Sequence, residues 1–190
     1  MQTLRINVAS LLRETAGGAR EHPVAASAES VAAMVPEVLA RSPLTGTARL
    51  LRGPRSIFAR VRASAEVALE CSRCLEEAGI TLDMLFDAEY FPTIDVATGS
   101  SLAVPDDEMS FAIDRNHELD LAEAVRQELL VALPMHPLCS PGCAGLCARC
   151  GHNLNLGPCG CDPEQDGGRL ASLQVLLDDA STKRQPRRGG

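Results

Sequence analysis

Residues 57–90 read IFARVRASAEVALECSRCLEEAGITLDMLFDAEY, and the spacing of their apolar positions decides the fold. Ile57, Ala59, Val61, Ala63, Ala65, Val67, Leu69 and Cys71 fall on one side of an alternating pattern, while Arg60, Arg62, Ser64, Glu66 and Glu70 fall on the other. A period of two is that of a strand with one buried and one wet face. Ile80, Leu82, Met84, Phe86, Ala88 and Tyr90 repeat the pattern with Thr81, Asp83, Asp87 and Glu89 opposite, so the second run reads as the returning arm of a long hairpin. The connection between the arms carries CSRC, residues 71–74.

Upstream, INVASLL (6–12) and LTGTARLLRG (44–53) read as further strands, with helical character around Glu29 to Leu39. Downstream, residues 96–118 lose the alternation and hold Gly99, Pro105 and the acidic run Asp106, Asp107, Glu108, which predicts a flexible surface connection. Asp120 is placed to cap a helix with Glu123 reaching back, and Leu121, Val125, Leu129 and Ala132 recur at helical spacing until Pro134. Leu170, Leu173, Val175, Leu176 and Leu177 predict a short final helix before the basic end KRQPRRGG. The expected fold class is therefore α+β. It has a predominantly antiparallel β-rich core with a long hairpin over 1–95, an acidic flexible connection over 96–118 and a packing helix over 119–134. A Cys-rich zinc-binding module over 135–163 and a short helix with a basic tail over 164–190 complete it.

The chain has 190 residues, 45% of them hydrophobic, enough to bury a core. Its longest apolar run near the start, VAAMVPEVLA (31–40), is broken by Pro36 and Glu37, so no membrane span is expected. MQTLRINVAS lacks the regions of a secretory signal, which predicts a cytoplasmic protein. Thiols stay reduced there, and eight cysteines then point to metal rather than to disulfides.

Six of the eight lie in CSPGCAGLCARCGHNLNLGPCGC, residues 139–161. A tetrahedral zinc ion takes four thiolates or imidazoles, commonly as closely spaced pairs. Cys147 and Cys150 form the strongest pair, because two intervening residues let one ion reach both sulfurs and Gly151 accepts the left-handed turn that follows. Cys159 and Cys161 complete one four-thiolate set. Cys71, Cys74, Cys139 and Cys143 form another, which would pin the hairpin tip to the C-terminal segment. One or two structural Zn2+ ions are expected; an iron–sulfur cluster and redox-active thiols are the competing chemistries. His136 and His152 are alternative ligands.

Eight thiols over two ions leave no open coordination position for a substrate. The chain also lacks a Walker loop, a nucleophile elbow, HExxH and the zinc-deaminase signature, so an enzyme and a small-molecule substrate are not expected. Its net charge of −7 is unevenly spread. Arg49, Arg52, Arg55, Arg60 and Arg62 occur with no acid among them and are candidate nucleic-acid contacts, while Asp83 to Asp120 is dominated by acids and suits a basic protein. One Tyr, four Phe and no Trp leave little for base stacking.

CSRCLE (71–76), DLAEAVRQELLVALPMHPLC (120–139), CAGLCARCGHNLN (143–155) and CGCD (159–162), with INVASLLRETAGG (6–18) near the start, resemble the YceD family of large ribosomal RNA subunit accumulation proteins. The resemblance implies a non-enzymatic ribosome biogenesis factor that supports synthesis, processing or accumulation of 23S ribosomal RNA. Its partners would be pre-ribosomal RNA, ribosomal proteins or assembly factors. A protein-only adaptor with a zinc ribbon and a thiol redox or metal-storage protein are the alternatives that the residues alone leave open.

Overall fold

The computed structural model describes residues 4–105 and 110–161. The expected final helix, the basic tail and the acidic run Asp106 to Glu108 lie outside the described residues. The chain divides into two compact units, Met1–Cys143 and Ala144–Gly190.

In the first unit the alternating runs form the strands that their period requires. Leu44–Arg52 (β4), Ile57–Glu70 (β5) and Glu77–Pro92 (β6) are consecutive antiparallel neighbours. β5 pairs along its whole length with β6, from Ile57 opposite Tyr90 to Glu70 opposite Glu77. Ala19–Ala26 (β2) adds to the free side of β4, and the short Leu39–Ala40 (β3) pairs with β5 at Val67 and Ala68, beyond the point where β4 ends. Ser110–Ile113 (β7) closes the far edge, parallel to β6. The order across the six-stranded sheet is β2-β4-β5-β6-β7, with β3 beside β5. Arg5–Asn7 (β1) and Glu118–Asp120 (β8) make a separate antiparallel pair. The helices described are Ala9–Leu12 (α1), Ala28–Met34 (α2) and Ala122–Ala132 (α3), so the class is α+β.

One face of the sheet makes the core. Ile57, Val61, Val67, Leu82 and Met84 are buried in the same apolar cluster as Leu11 of α1, Val31 of α2, Leu119 of β8, and Val125 and Leu129 of α3. Tyr90 is fully buried and its ring stacks on that of Phe111, with centroids 5.1 Å apart, which ties β7 to the hairpin. At Gly46 of β4 the two strands approach closely: a Cβ there would lie 2.0 Å from the Arg62 carbonyl oxygen and 2.6 Å from Ala63 Cα. Only glycine fits without moving the backbone.

Four expectations are corrected. INVASLL is not one strand, because the Asn7 side chain accepts a hydrogen bond from the Ala9 N–H (3.1 Å) and turns the chain into α1, whose consecutive Leu11 and Leu12 are both buried. Helix α2 stops at Met34 instead of running to Leu39, since Pro36 disfavours helical backbone at Val35. The 96–118 segment is more than a connection. It contributes β7 to the sheet and the start of β8, with Asp114 Oδ1 accepting from the Asn116 and Glu118 N–H groups in the turn between them. Asp120 does accept from the Ala122 N–H at 2.9 Å, but Glu123 faces forward along the helix, where it binds Arg126 and Gln127. Those donors hold the Glu123 carboxyl down at about 2.

The expected Cys-rich module over 135–163 is divided by the boundary between the units, because Cys139 and Cys143 fold with the hairpin. In the second unit a 3-10 turn spans Leu154–Leu156 and a single bridge joins Leu146 to Asn153.

Substituting Gly46→Ala should destabilise the first unit by about 1–3 kcal/mol, the range for a side chain forced into a packed site. Urea unfolding followed by far-UV circular dichroism measures it, and an unchanged midpoint would show that β4 can move away from β5.

Candidate metal centres and the basic sheet face

The hairpin ends in a knuckle. After Glu70 the chain leaves the strand, the Cys71 N–H donates to the Glu76 carbonyl (2.8 Å) and the Leu75 N–H donates to the Cys71 carbonyl (3.0 Å). Leu75 takes a left-handed conformation with φ of 63° to close this turn. Inside it the N–H groups of Cys74 and Arg73 point at the Cys71 sulfur, and with a further N–H from Cys139 they lower its pKa to about 6, against the desolvation of the site.

Segment 137–143 is fastened onto this tip. The Ser72 N–H and hydroxyl both donate to the Pro137 carbonyl, at 2.8 and 3.1 Å, and Arg73 Nη1 donates to the Cys143 carbonyl at 2.9 Å. Cys71, Cys74, Cys139 and Cys143 are thereby brought together with all four sulfurs within 4.8 Å of one another. Cys71 Sγ lies 3.8 Å from Cys143 Sγ and Cys74 Sγ lies 3.6 Å from Cys139 Sγ. A disulfide needs about 2.05 Å. A tetrahedron of sulfurs placed about 2.3 Å from a central zinc has edges of about 3.8 Å. The donor set and its spacing therefore fit a four-coordinate soft metal ion. Cys71, Cys74 and Cys143 are buried and Cys139 is exposed.

The second unit repeats the arrangement on a local scale. The Cys147 N–H donates to the His152 carbonyl (2.8 Å), the Gly151 N–H donates to the Cys147 carbonyl (2.9 Å), and Gly151 has φ of +71°, the turn for which a glycine is needed. N–H groups of Cys150 and Arg149 point at the Cys147 sulfur and, with the neighbouring Cys159 thiol, lower its pKa to about 6. A hydrogen bond with the Cys150 thiol, together with burial, pushes Cys161 up to about 12. Cys147, Cys150, Cys159 and Cys161 form a second group with sulfurs within 4.8 Å. The structure brings the eight cysteines together in these two sets. Among the described residues His136 and His152 join neither, and the His152 backbone carbonyl accepts from Cys147.

Two residues that the sequence reading passed over hold the second group in shape. Asn153 Oδ1 accepts from the Asn155 N–H (3.0 Å) and side-chain amide (2.8 Å), and Asn155 Oδ1 accepts from the Ala144 N–H (2.8 Å). The signal lay in NLN itself, since asparagine beside a knuckle commonly caps free backbone groups.

The candidate arginines separate into two sites. Arg49, Arg60 and Arg62 lie on the outer face of the sheet and line one shallow groove of about 580 Å3 with Glu21 and Thr47. Arg52 is three residues from Arg49, an odd number along a strand, so it belongs to the other face; its Nη1 donates to the carbonyls of Gly53 and Ser56. With Arg55 it borders a separate apolar cleft of about 330 Å3 that includes Leu12, Phe91 and Ile94. On the outer face Arg60 is held in a bidentate pair by Asp87 (2.7 and 2.8 Å), whose carboxyl the guanidinium keeps below its ordinary range. Arg49 and Arg62 have no hydrogen-bond or ion-pair partner among the described residues.

No helix among the described residues is long and apolar enough to cross a membrane.

A mainly antiparallel sheet that carries one four-cysteine group at a hairpin tip, followed by a second group in a small knuckle, defines a cysteine-rich α+β protein able to hold metal ions. The model of the family named "Large ribosomal RNA subunit accumulation protein YceD" matches residues 59–177, and the chain belongs to that family. Among named relatives, an uncharacterised protein of Mycobacterium tuberculosis is 32% identical over 59% of this chain and 51% of its own. The protein of Zea mays named large ribosomal RNA subunit accumulation protein YCED homolog 1, chloroplastic, is 30% identical over 54% of this chain and 43% of its own. The chain thus spans about half the length of the relatives it matches. No solved structure matches it.

If the two four-cysteine groups are separate centres, Cys150→Ser should alter amide exchange only within residues 144–161. A change that also reached the hairpin tip at 70–77 would show that the groups exchange ligands.

Proposed function

We propose that this protein is a non-catalytic factor for the accumulation of large-subunit (23S) ribosomal RNA, in which each four-cysteine group holds a structural Zn2+. The observation that carries the metal assignment is the gathering of four sulfurs within 4.8 Å in each set, with spacings of 3.6 and 3.8 Å in the first. Zinc suits them because it is content with four thiolates and a tetrahedron and needs no inorganic sulfide. When bound, the ion supplies no reaction here; it fixes backbone. In the first centre, Cys71 and Cys74 on the hairpin and Cys139 and Cys143 beyond α3 would clamp together segments 65 to 72 residues apart in the chain. In the second, Cys147, Cys150, Cys159 and Cys161 would order a segment that has almost no regular structure of its own.

The role in ribosomal RNA accumulation follows the family, and the outer-face arginines supply a physical means of contact. Arg49 and Arg62, without ion-pair partners among the described residues, offer positive charge to a phosphate backbone, while Arg60 beside them is balanced by Asp87. The acids between Asp83 and Asp120 suit a basic ribosomal protein or assembly factor as a second partner. The setting is cytoplasmic, where thiols remain available to metal.

Two outcomes test this reading. Metal removal by a strong chelator should abolish amide-exchange protection at residues 71–76 and 139–161 while the paired middle of the hairpin, Val61 to Ala65 with Leu82 to Phe86, stays protected, because the binding energy of such a centre is largely folding energy. Retained protection at the knuckles would contradict structural metal. Arg49→Glu with Arg62→Glu should weaken association with pre-ribosomal particles and flatten its dependence on salt. Unchanged pull-down across a salt series, or association that survives nuclease, would replace the RNA contact with a protein contact.

A further inference from the structure

We propose that the outer face of the sheet is a platform for single-stranded RNA, with one unpaired base stacked on Phe58 and the adjoining phosphates on Arg49 and Arg62. This rests on the RNA contact proposed above and specifies its form.

The strand register lays out the platform row by row. Glu21 of β2, Arg49 of β4, Arg60 of β5 and Asp87 of β6 are directly opposed in one row. Two residues along β5, Phe58 stands opposite Leu51 on one side and Glu89 on the other. Two residues the other way, Arg62 stands opposite Thr47 and Leu85. The outer face therefore runs from an aromatic side chain through two rows of arginine over about 13 Å of strand, at about 3.3 Å per residue.

Each part has a feature that its place in the fold does not require. Phe58 occupies a position where the alternation calls for a polar residue, and 43% of its surface is exposed beside Leu51, itself 41% exposed. A lone exposed apolar side chain is ordinary. Here the ring is also propped: a Cβ on Gly53 would meet Phe58 Cε2 at 2.9 Å, so the side chain rests against bare backbone on one side and is open on the other. Arg49 and Arg60 are like charges directly opposite each other across β4 and β5, an unfavourable pair in a sheet. Asp87 relieves it from the Arg60 side. Glu21, opposite Arg49, forms no ion pair with it among the described residues. A phosphate set between Arg49 and Arg62 would remove that residual repulsion.

The form of the RNA follows from these contacts. Bases in an A-form duplex are stacked on one another and show only their edges, whereas a single strand can splay a base onto an aromatic ring. An apolar protein surface would use Leu51 and Phe58 but would leave Arg49 and Arg62 desolvated without partners. A single strand satisfies both kinds of group.

The test is fluorescence anisotropy of the full chain with a labelled, unstructured RNA of about 12 nucleotides, within the usual size of single-strand sites, and with the duplex of the same sequence. Phe58→Ala should weaken binding to the single strand about tenfold, as expected for loss of one stacked base, and leave duplex binding unchanged. Phe58→Leu keeps an apolar side chain against Gly53 and should fall like Phe58→Ala, while Phe58→Trp should bind like the native chain. Arg49→Glu with Arg62→Glu should weaken both RNAs. If the arginine variant loses binding but the Phe58 variants do not, the stacking inference is overturned and the RNA contact stands. If no variant changes RNA binding, or the native chain binds neither RNA, both are overturned.

Discussion

The pairing of β5 with β6 is the constraint on which the rest of the molecule depends. Because it runs unbroken from Ile57–Tyr90 to Glu70–Glu77, one register fixes which side chains face the core, which face solvent, and where the knuckle sits. A slip of one residue would bury Arg60 and Arg62 and expose Val61 and Val67. The long hairpin also explains why a four-cysteine group lies at its end. A tip that projects beyond the neighbouring strand has little core beneath it, and Cys71 and Cys74 reach instead to Cys139 and Cys143. Hydrogen bonds from Ser72 and Arg73 hold segment 137–143 against the tip, beside the four thiols.

The two cysteine groups use the same local device for different ends. In each, N–H groups of a tight turn face the first cysteine of a C-x-x-C pair and favour its thiolate, at Cys71 and at Cys147. Clustered thiols cannot all ionise without an ion to neutralise them, which is the electrostatic argument for metal in both. The first group joins distant parts of the chain within one unit; the second sits in a short segment held by turn hydrogen bonds, by Asn153 and Asn155 and by a single bridge.

The sequence made some of this plain and hid other parts for physical reasons. β5 and β6 were legible because long alternation has no competing explanation, and the cysteines were legible as candidate metal ligands because they come in pairs at short spacing, while spacing alone does not fix which pairs share a site. β7 was hidden: SFAI is too short to show a period, and its pairing with residues 89–92 of β6 is parallel and is reached through a long connection whose Gly99 and Pro105 read as loop. The arginines misled by proximity along the chain. Read with the period of two that marks β4, Arg49 and Arg52 already belong to opposite faces, and only Arg49 joins Arg60 and Arg62. Phe58 was counted among few aromatics without regard to its side of the strand, where its parity sets it beside those arginines.

The central claim is that all eight cysteines are ligands in two closed centres. Elemental analysis of protein purified without added metal, paired with a count of thiols that an alkylating agent reaches in the native state, tests it most directly. The account predicts about two zinc ions per chain, at four thiolates each, and no rapidly alkylated thiol. Iron, or metal-free protein with four or more reactive thiols, would contradict it.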